Sequence, residues 1–194
     1  SGLAADAKLS GTVSVSDESS LELVNIVQQG SVTLSGKLSG VAGTLEKTSG
    51  TLVLNLLNER DTFGGTLKGA TLTVSAVGSA ATDKSLGLSG TMSASGLILS
   101  DGAELKLLSN GKLAVDGTIS VNSDSGLTLA GGTLTLGNAS GVATDDVLSG
   151  TQGTVTLGNG TLTAATGSSG WTASHDMTLS GTGENGTLVS LGDG

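Results

Sequence analysis

Cysteine, proline and tyrosine are missing from this 194-residue chain, and Phe63 and Trp171 are its only aromatic residues. Without cysteine there is no disulfide framework, no thiolate metal site and no thiol nucleophile. Without proline nothing interrupts the hydrogen-bond ladder of a sheet. Collagen is excluded as well, since it needs proline and a glycine at every third position. Large rings carry much of the burial in an ordinary core, so this core has to be built from Leu, Val, Ile and Ala. That points to a narrow, repetitive interior.

Basic residues are the next shortage. All 8 Lys and Arg lie within residues 1–112, beside 10 Asp and Glu, while residues 113–194 hold 7 Asp and Glu and no Lys or Arg. Phosphate neutralisation supplies most nucleic-acid affinity, so nucleic acid is not an expected partner. Anionic lipid is a poor one for the same reason. No run approaches the ~18 apolar residues of a membrane-spanning helix, and direct membrane insertion of this segment is not expected. The start carries no basic, apolar and small-residue leader pattern, so the chain reads as a mature protein or an excised segment.

What is abundant is glycine, 33 residues, and small aliphatic and hydroxyl side chains. A mean hydropathy of +0.23 argues against disorder, which needs low hydrophobicity and high charge. One unit recurs: glycine, a small residue, then alternating aliphatic and small polar residues. It reads GTVSV (11–15), GSVTL (30–34), GTLVL (50–54), ATLTV (70–74), GTMSA (90–94) and GKLAV (111–115). It goes on as GTISV (117–121), GTLTL (132–136), GTVTL (153–157), GTLTA (160–164) and GTLVS (186–190).

Alternation of period two puts the aliphatic residues on one face of a strand and the Ser and Thr on the other. Glycine-rich joints supply the tight corners. No segment shows a sustained, capped helical period. The best helical candidate, residues 21–30 (LELVNIVQQG), reads equally well as a buried strand.

Short strands, glycine corners and a near-constant step predict an all-β fold, a right-handed parallel β-helix (β-solenoid) with roughly 20 residues per coil. A single domain over 1–194 is expected, itself a segment of a larger secreted protein. An antiparallel sandwich is the other all-β solution. It would use Asp101-Gly102, Asn110-Gly111, Asp116-Gly117, Asn159-Gly160 and Asn185-Gly186 as hairpin turns. The repeat spacing favours the solenoid.

Residues 45–74, LEKTSGTLVLNLLNERDTFGGTLKGATLTV, resemble the passenger-associated transport repeat of autotransporters. The matches are Leu45, Lys47, Gly50, Thr51, Leu52 and Leu54, then Thr62, Phe63 in the aromatic place, Gly65, Thr66, Gly69, Leu72 and Val74. The NLLNER turn is longer than the family's, Asp61 stands where the family has Asn, and the last spacer is short. The rest of the chain is similar to the Gly-Thr-Leu-rich β-helices of autotransporters and filamentous haemagglutinins. The resemblance implies a β-helical passenger exported to the surface of a Gram-negative-type bacterium, with the repeat assisting folding and export.

Candidate chemistry is sparse. Ser174, His175 and Asp176 are neighbours and His175 is the only histidine, but a triad is assembled across a fold, and neighbours on a strand point to opposite faces. A surface position is expected, and no catalytic residue is assigned. Solenoid polysaccharide-degrading enzymes need clustered carboxylates, and lyases need a basic group too; the only Arg is Arg60. Asp145 and Asp146, the only adjacent acidic pair of the acidic half, are weak candidates for a hard-cation site. Otherwise no metal site and no cofactor is expected.

Thr-x-Thr recurs at 71–73, 133–135, 154–156 and 161–163. Such ladders order water on ice-binding solenoids, but irregular spacing favours ordinary outward strand positions. Asn138, Asn159 and Asn185 lie in Asn-x-Ser/Thr sequons and read as turn residues.

The expected function is therefore an extracellular structural or interaction protein, a stalk or adhesin scaffold facing a host or neighbouring cell. A self-assembling fibre or sheath subunit, associating through its terminal coils, is the alternative, and a solenoid polysaccharide-degrading enzyme a further one.

Overall fold

The structure, a computed structural model, describes residues 7–10, 13–14, 20–22, 31–36, 38–40, 44–56, 60–76, 84–137, 146–168, 171–181 and 188–190. Side chains are described within 50–56, 62–76, 84–137, 146–168 and 171–181. The described residues form strands, bends and turns, with no helix among them. In chain order the strands are β1 (Ala7–Ser10), β2 (Val13–Ser14), β3 (Ser20–Glu22), β4 (Ser31–Gly36), β5 (Leu38–Gly40) and β6 (Thr44–Leu56). Next come β7 (Arg60–Phe63), β8 (Thr66–Ala76), β9 (Ser85–Leu88), β10 (Thr91–Ser100), β11 (Glu104–Leu107), β12 (Lys112–Val115) and β13 (Ile119–Val121). The last are β14 (Gly126–Ala130), β15 (Thr133–Leu136), β16 (Thr154–Gly158), β17 (Thr161–Ala164), β18 (Thr178–Leu179) and β19 (Leu188–Ser190).

Among the described residues every pairing is parallel, and no strand pairs with the strand before or after it in sequence. One sheet runs β1-β4-β6-β8-β10-β12-β15-β17-β19, with β3 beside β6 and β13 beside β10. The other runs β2-β5-β7-β9-β11-β14-β16-β18. The chain visits the two sheets in turn and advances one rung per circuit, which is a β-solenoid of about 22 residues per turn. Parallel pairing rules out the hairpin sandwich. The Asp101-Gly102, Asn110-Gly111 and Asn159-Gly160 pairs are corners between walls, with Asp101, Asn110 and Asn159 at φ of 56°, 71° and 46°. Short polar side chains tolerate that left-handed conformation better than others. Of the segment 21–30, Leu21 and Glu22 are in strand and the remainder lies outside the described residues.

The period-two expectation holds at side-chain level: β11, β12 and β15 alternate between outward and buried residues. Parallel register then turns the alternation into columns. Leu67, Met92, Leu113, Leu134 and Leu162 stack up the first sheet. Phe63, Leu88, Leu107, Leu129 and Leu157 stack up the second. No member of either column is more than 2% exposed. Burying a Leu or Val contributes about 1.5–3 kcal/mol, so each coil is held mainly by its inward side chains, such as Leu105, Leu107, Leu113, Val115, Ile119 and Val121 in one coil, against the coils above and below.

Three walls enclose this core in the middle of the stack. β6, β8 and β10 are 13, 11 and 10 residues long and bend between two of the walls. The β6–β8 register slips between Lys47 and Thr51 at that bend. Higher up, the bend opens into a break at Asp116–Thr118, and the second wall continues as β13. It goes on without regular strand: Ile119 N–H donates to Val147 O (2.7 Å), and Val147 N–H to Thr172 O (2.8 Å). Thr151 Oγ1 accepts from Val121 N–H (3.3 Å) and donates to Ile119 O (3.2 Å), taking over the pairing there.

The step per coil varies. Ser85 lies beside Glu104 and Glu104 beside Gly126, 19 and 22 residues on, whereas Gly126 lies beside Thr154, 28 residues on. The longer step carries the irregular second wall.

Glycine is compulsory at one corner. Gly90, Gly111, Gly132 and Gly160 occupy equivalent places just before β10, β12, β15 and β17. A Cβ on Gly90 would sit 2.0 Å from Gly65 O, and one on Gly111 2.1 Å from Leu88 O; at Gly132 and Gly160 the carbonyl below is 2.7 Å away. Hydrogen bonds hold the coils at that distance: Lys112 N–H donates to Gly90 O (2.8 Å), Thr133 N–H to Gly111 O (2.8 Å) and Thr161 N–H to Gly132 O (2.9 Å).

Candidate functional site

The only histidine lies in the upper coils, where residues 171–177 alternate: Trp171, Ala173, His175 and Met177 are half-buried, and Thr172, Ser174 and Asp176 are exposed. Ser174 does not meet His175. Its hydroxyl donates to Asp146 Oδ2 (2.5 Å) and its N–H to Asp146 Oδ1 (3.1 Å). Oδ1 also accepts Leu148 N–H (3.1 Å). Asp146 thus caps the turn 147–150 and clamps it to the next coil, and its oxygens are occupied by N–H and O–H donors. Among the described residues no group of three or more His, Cys, Asp or Glu is placed to hold a metal ion; Asp145 lies outside them. His175 Nε2 lies 2.9 Å from Gly153 O. A carbonyl can only accept, so Nε2 carries the proton and His175 is a second tie between these coils.

The donors on Asp146, the Ser174 hydroxyl first, hold its carboxyl below the ordinary aspartate range; Asp101 is lowered likewise by the Ser75 and Ser100 hydroxyls. A depressed carboxylate adds stability above its unfolded pKa of about 3.9, and that stability is lost as pH falls through the folded value. Acidification below about pH 4 should therefore loosen the 171–177 segment. Trp171, the single tryptophan, reports it: its emission should shift to the red in acid, and Asp146→Asn should remove the acid-dependent step. An unchanged acid transition in that variant would contradict the clamp.

Outward threonines fall into register only locally. Thr133 pairs with Thr161 and Thr135 with Thr163, but Lys112 and Ala114 stand in the same columns one rung below. Single threonine columns run three rungs, at Thr44, Thr66 and Thr91 and at Thr128, Thr156 and Thr178, but this double grid is two rungs deep and ends at Lys112 and Ala114, the pattern of ordinary outward strand positions. Asn159 is a corner residue; Asn138 and Asn185 lie outside the described residues.

One concave feature is built by the register itself. The corner leading into β11, β14 and β16 carries a polar notch of about 420 Å³ lined by Gly102, Glu104, Asp124, Gln152 and Thr154, among others, with Ser125 and Gly126 as its buried floor. Glu104, Gly126 and Thr154 are stacked neighbours; two residues earlier in each coil stand Gly102, Asp124 and Gln152. The glycines leave gaps between the flanking side chains. Glu104 is fixed from both sides: Lys106 Nζ lies 2.9 Å from Oε2, and the Thr128 hydroxyl donates to Oε1 (3.0 Å). Ser125 Oγ accepts Gly102 N–H (3.2 Å). Sequence reasoning missed this notch, because steps of 22 and 28 residues conceal that these positions are neighbours.

No family model, curated protein or solved structure matches the chain.

Proposed function

We propose that this chain is an extracellular structural and interaction protein, a β-solenoid passenger segment serving as a stalk or adhesin scaffold on a Gram-negative-type cell. The observation that carries the reading is the stacking. Aligned inward columns and compulsory glycine corners build a stiff rod whose outer surface is free to vary. The chemistry-bearing residues of the upper coils, Asp146, Ser174 and His175, support it by tying coil to coil. The passenger-repeat resemblance at 45–74 falls on β6, β7 and part of β8, one circuit and the start of the next. Labelling intact producing cells with an antibody to the folded rod, with permeabilised cells as the control, tests the reading. Surface label on intact cells is expected; signal confined to permeabilised cells would overturn it.

The fibre reading is favoured by one observation. Leu179 continues the column of Leu129 and Leu157, yet it is 65% exposed, an inward residue with an uncovered face. If coils of another copy cover it, sedimentation should show concentration-dependent growth that Leu179→Glu abolishes. A monomer at every concentration would remove that reading.

A further inference from the structure

We propose that the notch over Gly126 binds an amino sugar, a hexose unit carrying a free amine. Three observations lead there. The notch is held open: a Cβ on Gly126 would stand 3.1 Å from Thr154 Oγ1 and 3.5 Å from Glu104 Cγ, so any side chain there would fill it. Its volume of about 420 Å³ lies within the range of small-molecule sites. Finally, its walls hold unspent polar groups. The exposed carboxylate of Asp124, amide of Gln152 and hydroxyl of Thr154 make no hydrogen bond or ion pair among the described residues, while Glu104 is held in place by Lys106 and Thr128.

Charge selects the ligand class. Lys106 balances Glu104, which leaves Asp124 as the uncompensated charge of the notch, in a half of the chain without Lys or Arg. A sugar acid is repelled. A neutral sugar finds hydroxyl partners but no aromatic ring, since neither Phe63 nor Trp171 lines the notch. An ammonium on a hexose ring gives Asp124 a charge-assisted hydrogen bond, roughly twice as strong as a neutral one, and leaves the ring hydroxyls for Gln152, Thr154 and the outer face of Glu104. Carboxylate, amide and hydroxyl on two successive rungs, beside the Glu104 that Lys106 and Thr128 hold on the rung before them, offer such a unit several partners on one surface.

The proposal deepens the surface-scaffold reading and rests on it for its setting, but it is tested on purified protein, so its failure and that of the scaffold reading are separable. The intact ¹⁵N-labelled chain is titrated with glucosamine oligomers, their N-acetylated forms, glucose oligomers and galacturonate oligomers, following amide shifts. The free-amine oligomer should move the amides of residues 102, 124–126 and 152–154. N-acetylation should weaken binding by about tenfold, as should Asp124→Asn. Gly126→Thr should abolish it without unfolding the chain, because Thr154 occupies the same register position one coil on. Equal binding of the acetylated oligomer, shifts centred elsewhere, or no shift at millimolar ligand would each overturn the proposal.

Discussion

Gly111→Ala should destabilise the rod by about 3 kcal/mol or more, at the upper end of what overpacking a close-packed site costs, although it adds a single methyl group. The Cβ would meet Leu88 O at 2.1 Å and Leu108 O at 2.9 Å. Both are backbone, so no side chain can swing away. Relief requires lifting the corner from the coil below, which breaks the Lys112–Gly90 and Leu108–Leu88 hydrogen bonds over a core that cannot follow. Gly96→Ala is the matched control. Its nearest atoms would be Thr118 O at 3.8 Å and Thr71 Oγ1 at 4.0 Å, ordinary contact, and removing a glycine restricts the unfolded chain. That variant should be neutral or gain up to about 1 kcal/mol. Denaturant unfolding of the pair measures the difference, and equal stabilities would mean that the corner is not packed against the coil beneath it.

Phe63→Ala should have the other large effect, about 3–5 kcal/mol. Phe63 is fully buried and has the largest side chain of the core. It stands in the column of Leu88, Leu107, Leu129 and Leu157, where alanine would leave a void between rungs. Phe63→Leu gives the column the residue it uses in the coils above and should cost less than about 1.5 kcal/mol. A solenoid coil touches only its neighbours, so the loss should be local. Hydrogen exchange in Phe63→Ala should accelerate first in β7, β8 and β9 and leave β14 to β17 protected. A uniform loss of protection, or equal damage from Phe63→Leu, would contradict column packing and point to a specific role for the ring.

The fold was largely legible because its signal is local and repeated. Leu134 and Leu136 alternate with Thr133 and Thr135 in sequence and in burial alike, and the glycine before each strand marks the corner it builds. The missing tyrosine and scarce phenylalanine and tryptophan have the same origin, since an interior of stacked Leu columns has no room for many rings. Register was not legible. It depends on corner lengths, and the step from β14 to β16 takes up residues that build the irregular second wall and the Asp146 clamp. Nothing in a run of Ser, Thr and Asp tells which aspartate caps a turn, as Asp146 does, which accepts from serine hydroxyls, as Asp101 does, and which faces solvent, as Asp124 does. The notch escaped for the same reason: Glu104, Gly126 and Thr154 become one surface only after the coils are stacked.

The central claim is that successive coils are stacked in parallel, one rung apart. The chain has no cysteine, so spin labels can be placed at will on one outward column: Thr66, Thr91, Lys112, Thr133 and Thr161, adjacent in that order. Dipolar distances from a label at Thr66 to labels at Thr133 and Thr161 should lengthen by one strand spacing, about 4.8 Å, and place Thr161 about 19 Å from Thr66. Distances that do not grow by a constant increment along the column would contradict the stacked solenoid.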